Sequence, residues 1–221
     1  MTLAELISQF RTDSDDVQAG ALSLDDDIKL WLNEAVEEAA IRANLIHEAD
    51  NATVCEISID AGTSTYSLHD AVIDITRADF TPTGTTDSVN LTLTDRVEQD
   101  RTRPNWRNTT DVPRELIQLD TSVRMGCIPS VAGLLKIECH RLPLTPMAAD
   151  DDTPEIGRVH HRHLVHWALH RCYMRPDAEV HDPGRAAVAL SEFERYFGLR
   201  PDADLRRSFQ ANVSMHNKAV W

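Results

Sequence analysis

No stretch of this sequence is long and apolar enough to span a bilayer. The opening M-T-L-A-E-L-I-S-Q-F is too polar, with acids too close behind it, to read as a signal peptide. Neither insertion into a membrane nor export is expected. Cysteine is scarce. Cys55, Cys127, Cys139 and Cys172 make no C-x-x-C and no paired spacing, so buried thiols in a reducing cytosol are expected rather than a disulfide framework. Lysine is scarcer still: only Lys29, Lys136 and Lys218 occur among 22 cationic side chains, and arginine supplies the rest. Arginine suits protein interfaces, where lysine is depleted, although genomic base composition produces the same bias. The familiar catalytic signatures are missing too. There is no G-x-S-x-G, no Walker loop, no dinucleotide fingerprint and no H-E-x-x-H. The triplets Asp25-Asp26-Asp27 and Asp150-Asp151-Asp152 read as a helix start and an acidic linker, neither of which requires a perturbed carboxyl. No enzyme activity and no cofactor are expected.

What the chain does have is negative charge, unevenly spread. Residues 1–50 carry 12 acids against 3 bases, residues 51–153 carry 16 against 9, and residues 154–221 carry 8 against 10. A net charge of −14 opposes a protein that grips nucleic acid, because counterion release needs clustered cations. It does not oppose a surface past which DNA slides.

Histidine is concentrated in one place, with His160, His161, His163, His166 and His170 inside T-P-E-I-G-R-V-H-H-R-H-L-V-H-W-A-L-H-R-C. On a helix, Leu164, Val165, Trp167, Ala168, Leu169 and Cys172 form one broad face, with His161 on the same side. His163, His166 and His170 fall opposite, toward solvent or another molecule. Two imidazoles could chelate a metal, but no Cys or Asp stands at i±4 to complete the set, so an outer histidine face without metal is expected.

Periodicity divides the chain. Leu3, Leu6, Ile7 and Phe10 predict a short amphipathic helix. A long one follows, capped by Ser23 and running to about His47 or Asp50, with Ile28, Trp31, Leu32, Ala35, Ala39, Ala43 and Ile46 on its buried stripe. Residues 52–145 change to period two. The segments T-V-C-E-I-S-I-D, A-V-I-D-I-T-R-A-D, S-V-N-L-T-L-T-D, E-L-I-Q-L-D and G-L-L-K-I-E-C-H-R predict at least five strands, with turns at Gly62, Pro82 to Gly84 and Pro129 to Gly133. Glu98 to Arg114 reads as a loop stapled by Trp106. The histidine-rich helix spans about Gly157 to Met174. The last helix has Asp182 as N-cap, Pro183 at its first position and Gly198 past its end, with Ala186, Ala187, Leu190, Phe193 and Phe197 buried. Beyond it, the apolar residues are too scattered to bury against their own domain.

The expected fold is therefore α+β: a helical bundle core with an inserted antiparallel β domain and an extended C-terminal arm. Residues 1–51 and 150–198 supply the core, 52–149 the β insertion and 199–221 the arm. Trp31, Ala35, Ala39, Trp167, Leu190 and Phe193 are expected to share the helical core.

Several segments together resemble the head-to-tail adaptor (connector) proteins of tailed bacteriophages, which bind beneath the portal ring. L-D-D-D-I-K-L-W-L-N-E-A-V-E-E-A-A-I-R-A is similar to that family's first long helix. A-G-T-S-T-Y-S-L with A-V-I-D-I-T-R-A is similar to the strand pair opening its β insertion. R-L-P-L-T-P-M, T-P-E-I, H-x-x-L-V-x-W-A-L and E-F-E-R-Y-F-G follow in the family's order. The resemblance covers roughly residues 22–198, with Gly157 a departure where proline is expected. It implies a ring of identical subunits, commonly twelve, in the virion neck. The portal lies above, a tail or nozzle protein lies below, and DNA passes without specific binding. The C-terminal arm would engage the portal, with Arg206, Arg207, Phe209, Met215 and Trp221 as its candidate contacts. A neck stopper or tail-completion protein is the near alternative, and a soluble protein binding metal through its histidine stripe the distant one.

Overall fold

The computed structural model describes residues 1–16, 23–176 and 181–201, and over them the protein is α+β. The helices are α1 (Leu3–Ser14), α2 (Asp25–Ala43), α3 (Ala52–Cys55), α4 (Arg96–Thr102), α5 (His161–Tyr173) and α6 (Pro183–Phe197). The strands are β1 (His47–Glu48), β2 (Glu56–Ile59), β3 (Thr65–Ser67), β4 (Val72–Pro82), β5 (Val89–Asn90), β6 (Thr92–Leu93), β7 (Thr110–Asp111), β8 (Glu115–Gln118), β9 (Ser122–Met125), β10 (Ile128–Pro129) and β11 (Gly133–Arg141). They fall into two compact units. One joins Met1–Ile46 to Arg141–Pro201; the other is His47–His140.

In the first unit α5 is central and packs against α1, α2 and α6. Leu6, Phe10, Ile28, Leu32, Leu164 and Phe193 are completely buried there, each stabilising the fold by about 1.5–3 kcal/mol. Thr2 and Glu5 close a reciprocal cap on α1. Two further amides of its first turn, those of Leu3 and Ala4, donate to the Asp152 and Asp150 carbonyls at 2.8 and 3.1 Å. The Asp152 carboxylate in turn accepts the amides of Ala148 and Ala149. The acidic triplet is thus a brace on a helix end rather than a plain linker, because exposed backbone donors recruit it.

Helix α2 departs from expectation at both ends. Leu24, not Ser23, is its N-cap and offers no side-chain bond; Ser23 is buried, with its hydroxyl 3.4 Å from the Cys172 sulfur. Three aspartates in the first turn favour the helix dipole instead. The helix stops at Ala43, four residues short of the shorter expected end, where Asn44 turns left-handed at φ 50°. His47 and Glu48 then pair with β11, so strand pairing overrides the helical period. Helix α6 has the predicted caps: Asp182 accepts the Arg185 amide, Pro183 opens the helix and Gly198 at φ 88° ends it. Its buried stripe is Ala186, Ala189, Phe193 and Phe197, whereas Ala187, turned by about 100° from Ala186, is exposed.

The second unit is mostly antiparallel. β11 pairs with β1, β2 and β4, with β5 outside β4, and β3-β9-β8-β6 form a second sheet. Burial alternates along β11, with Leu135, Ile137 and Cys139 inward. Two short pairs, β6 with β8 and β7 with β10, are parallel, an exception within the antiparallel unit expected. A parallel pair needs a crossover connection. Residues between β6 and β8 supply it, so the supposed loop holds α4, a 3-10 turn at Trp106 and β7. Likewise Ala52–Cys55 is a helical turn rather than the start of a strand. Trp106 is buried as a staple. Its indole N–H donates to Asp100 at 2.7 Å, and the Arg107 and Arg124 guanidiniums lie 4.5 and 4.8 Å from its ring. At Gly133 any side chain would collide with the Thr81 carbonyl and the Phe80 ring. None of the four cysteines is in a disulfide, and all are buried.

Chain entry to and exit from the second unit are adjacent. The Arg141 amide donates to the Ile46 carbonyl at 3.0 Å, and His47 is directly opposite His140.

Candidate functional site

The α5–α6 pair is where the histidine stripe and the root of the C-terminal segment meet. The expectation that His163, His166 and His170 face solvent or another molecule is overturned, because α6 covers that side of α5. All three are half-buried. The His163 ring lies flat on Tyr196, with centroids 3.5 Å apart and planes 13° apart. His170 Nδ1 is 3.0 Å from the Ala186 carbonyl. A helix hydrophobic on one stripe and aromatic on the other has a second packing face, and two close helices use both. His161, on the opposite side, is buried, with Nε2 3.0 Å from the Ile156 carbonyl. Among the described residues no group of three or more His, Cys, Asp or Glu is arranged to hold a metal ion.

Where α6 ends, one arginine gathers the chain. Arg42, its side chain 5% exposed, donates from Nε to Glu38 at 3.1 Å. Its Nη1 donates to Glu194 at 3.3 Å and to the Gly198 carbonyl at 3.2 Å. The guanidinium stands 5.5 Å from the Trp167 ring and 5.3 Å from that of Phe193. Glu38 also takes Arg200, 3.2 Å away. The departing segment is therefore tied to α2 by two Arg–Glu pairs and a backbone carbonyl. Glu38, Arg42 and Tyr196 stand in the adaptor-like segments quoted above, where sequence reasoning assigned them no role, and Arg200 was not singled out. The i, i+4 spacing of Glu38 and Arg42 was visible, but nothing local pointed to Glu194 or Gly198.

Of the residues expected in the helical core, Trp31, Ala35, Ala39 and Phe193 lie in one buried cluster. Trp167 packs on that cluster but is half-buried, with its indole N–H 3.4 Å from Glu34, and Leu190 is half-buried. Arg206, Arg207, Phe209, Met215 and Trp221 lie outside the described residues. A groove of 320 Å³ is lined by Ala4, Ile7, Ser8, Arg11, Thr12, Asp25 and Asp150. Arg11 is already engaged there by Asp16, Asp25 and the Ser23 carbonyl, and the Thr12 hydroxyl donates to the Ser8 carbonyl, so that hydroxyl is not poised as a nucleophile.

No curated protein matches the chain. A family described as SU10 adaptor protein matches it over residues 1–216. With that match spanning both helical segments and the β unit between them, the chain belongs to the SU10 adaptor protein family and is a bacteriophage head-to-tail adaptor, a component of the virion.

Proposed function

We propose that this adaptor is one subunit of a ring of identical copies, twelve in number, joining the portal above to a tail or nozzle protein below. It assembles in the host cytoplasm and ends in the virion neck. Residues 199–221 are its portal-engaging arm, with Phe209, Met215 and Trp221 as apolar anchors and Arg206 and Arg207 as charge partners. The acidic first two-thirds of the chain suit a lumen that repels phosphates, so that DNA passes without binding. In such a ring each subunit presents two different faces to its neighbours. No catalytic residue, metal or cofactor takes part.

The family match carries this reading, since it extends through the segment that contains Arg206, Arg207, Phe209 and Met215. The tether at Arg42, Glu38 and Arg200 supports it: a tail that pulls on a partner needs a fixed root. Ordering each arm on binding costs a few kcal/mol, which a ring offsets because each engagement raises the effective concentration of the next.

The test is deletion of residues 202–221, which leaves Arg200 and its partner in place. Mass measurement of the protein alone and mixed with portal should show that the truncated chain folds and no longer joins the portal. Full occupancy of the portal by the truncated chain would refute the arm's role.

A further inference from the structure

We infer that the imidazole row of α5 is an acid-sensitive latch for α6: above neutral pH it packs α6 tightly, and in mild acid it loosens the last two turns of that helix. The row is built at the helix contact itself. His163 is stacked on Tyr196, His166 follows at 6.0 Å between ring centroids, and His160 presents its edge to Tyr196 at 5.8 Å, with Nδ1 3.2 Å from the tyrosine oxygen. The Tyr196 hydroxyl also donates to the Val159 carbonyl at 3.4 Å. Tyr196 therefore holds the end of α6 to α5 through the His163 stack, and to the turn before it through His160 and the Val159 carbonyl.

The charged groups around the row decide the direction. From α5 itself comes Arg162, and from α6 come Arg195 and Glu192. From α1 comes Asp13, which Arg162 engages at 2.7 Å; Glu192 is engaged by Arg195. Both acids near the row are thus already paired with arginine, which weakens their pull on a new imidazolium. One imidazolium on the tyrosine face gains a cation–π contact, but two imidazoliums 6.0 Å apart repel each other, and Arg162 and Arg195 add to that repulsion. Burial, then His166, Arg162, His160 and Arg195, hold His163 below the ordinary histidine value; burial, then Arg162, do the same for His166 against the pull of Glu192 and Asp13. With both lowered in the packed state, the loosened state takes up protons first. Packing is complete above the ordinary imidazole value and weakens as pH falls from there through the lowered one.

Hydrogen–deuterium exchange of the full-length protein at pH 7.5 and 5.5, corrected for intrinsic rates, tests this. Amides of residues 189–197 should lose several-fold more protection on going to pH 5.5 than those of α2, because only the α6 contact is linked to the imidazoles. The double variant His163→Phe, His166→Gln keeps an aromatic stack without titrating. It should remove that excess loss. Equal protection of α6 at the two pH values, or an excess loss that persists in the double variant, would overturn the latch. If the variant does not fold, NMR titration of the unaltered protein decides: midpoints of His163 and His166 below the ordinary histidine value support it, and midpoints at or above that value overturn it.

Discussion

Arg42 offers the sharpest test of how the helical unit is held together. From α2 its guanidinium reaches the rings of Trp167 on α5 and Phe193 on α6, with only 5% of the side chain exposed. Replacement by alanine removes two cation–π contacts, worth about 0.5–1 kcal/mol each. It also removes a charge-assisted bond to the Gly198 carbonyl, worth about 1.5 kcal/mol, and the packing of the methylene stem. The lost pairing is partly discounted, since Glu194 is 31% exposed and Glu38 retains Arg200. Arg42→Ala should therefore destabilise the unit by about 3–4 kcal/mol, near the cost of breaking a buried pair. Arg42→Met keeps an apolar stem of similar reach and should lose about 1 kcal/mol less than the alanine variant, the share of the stem. Urea unfolding followed by the fluorescence of Trp31 and Trp167, both in this unit, measures the two variants against the parent. Equal losses in the two variants would refute the share assigned to the stem, and a loss under 1 kcal/mol in both would refute the Arg42 contacts as a source of stability.

The β unit supplies two further predictions. The Arg107 guanidinium, followed by the Trp106 indole N–H, holds the Asp100 carboxyl down at about 2; its contribution to folding is full above the ordinary carboxylate value and is lost as pH falls toward 2, so an NMR carboxyl titration with a midpoint near 3.8 would contradict the contact. Gly133→Ala should cost about 3 kcal/mol, because the added carbon would meet the Thr81 carbonyl and lie 2.6 Å from a Phe80 ring carbon, whereas Gly84→Ala, in open space at φ 86°, should cost about 1–2 kcal/mol from backbone strain alone. Unfolding followed by Trp106 ranks the pair, and the reverse order would exclude the close approach.

Local chemistry was legible where it acted locally. Asp182, Pro183 and Gly198 marked α6 correctly, because a cap, a fixed φ and a left-handed stop are properties of single residues. Ile28, Trp31, Leu32, Ala35 and Ala39 marked the buried face of α2, because one period ran without interruption. The end of α2 was misread because Ile46 continued that period while β11 claimed the next two residues as a strand. The histidine stripe was misread for a related reason: periodicity separates apolar from polar, and a half-buried imidazole row counts as polar although it packs on Tyr196. Trp106 was legible as an anchor, but α4 beside it was too short to show a period. The adaptor resemblance came from the order of segments rather than from any motif, and the family match over residues 1–216 bears it out.

The bond between Ile46 and Arg141 has a consequence for how the helical unit comes together. That unit is discontinuous in sequence: α1 and α2 are made long before α5 and α6, and they pack only if the chain between them returns to its starting point. Closing a loop costs entropy that grows only slowly with its length, and β1 beside β11 performs the closure inside the β unit. Seen from the helices, everything from His47 to His140 is a turn whose ends are already joined. The β unit is then a splint for folding as well as a module, and its far loops are free to lengthen or shorten over evolution with little effect on the bundle that they interrupt.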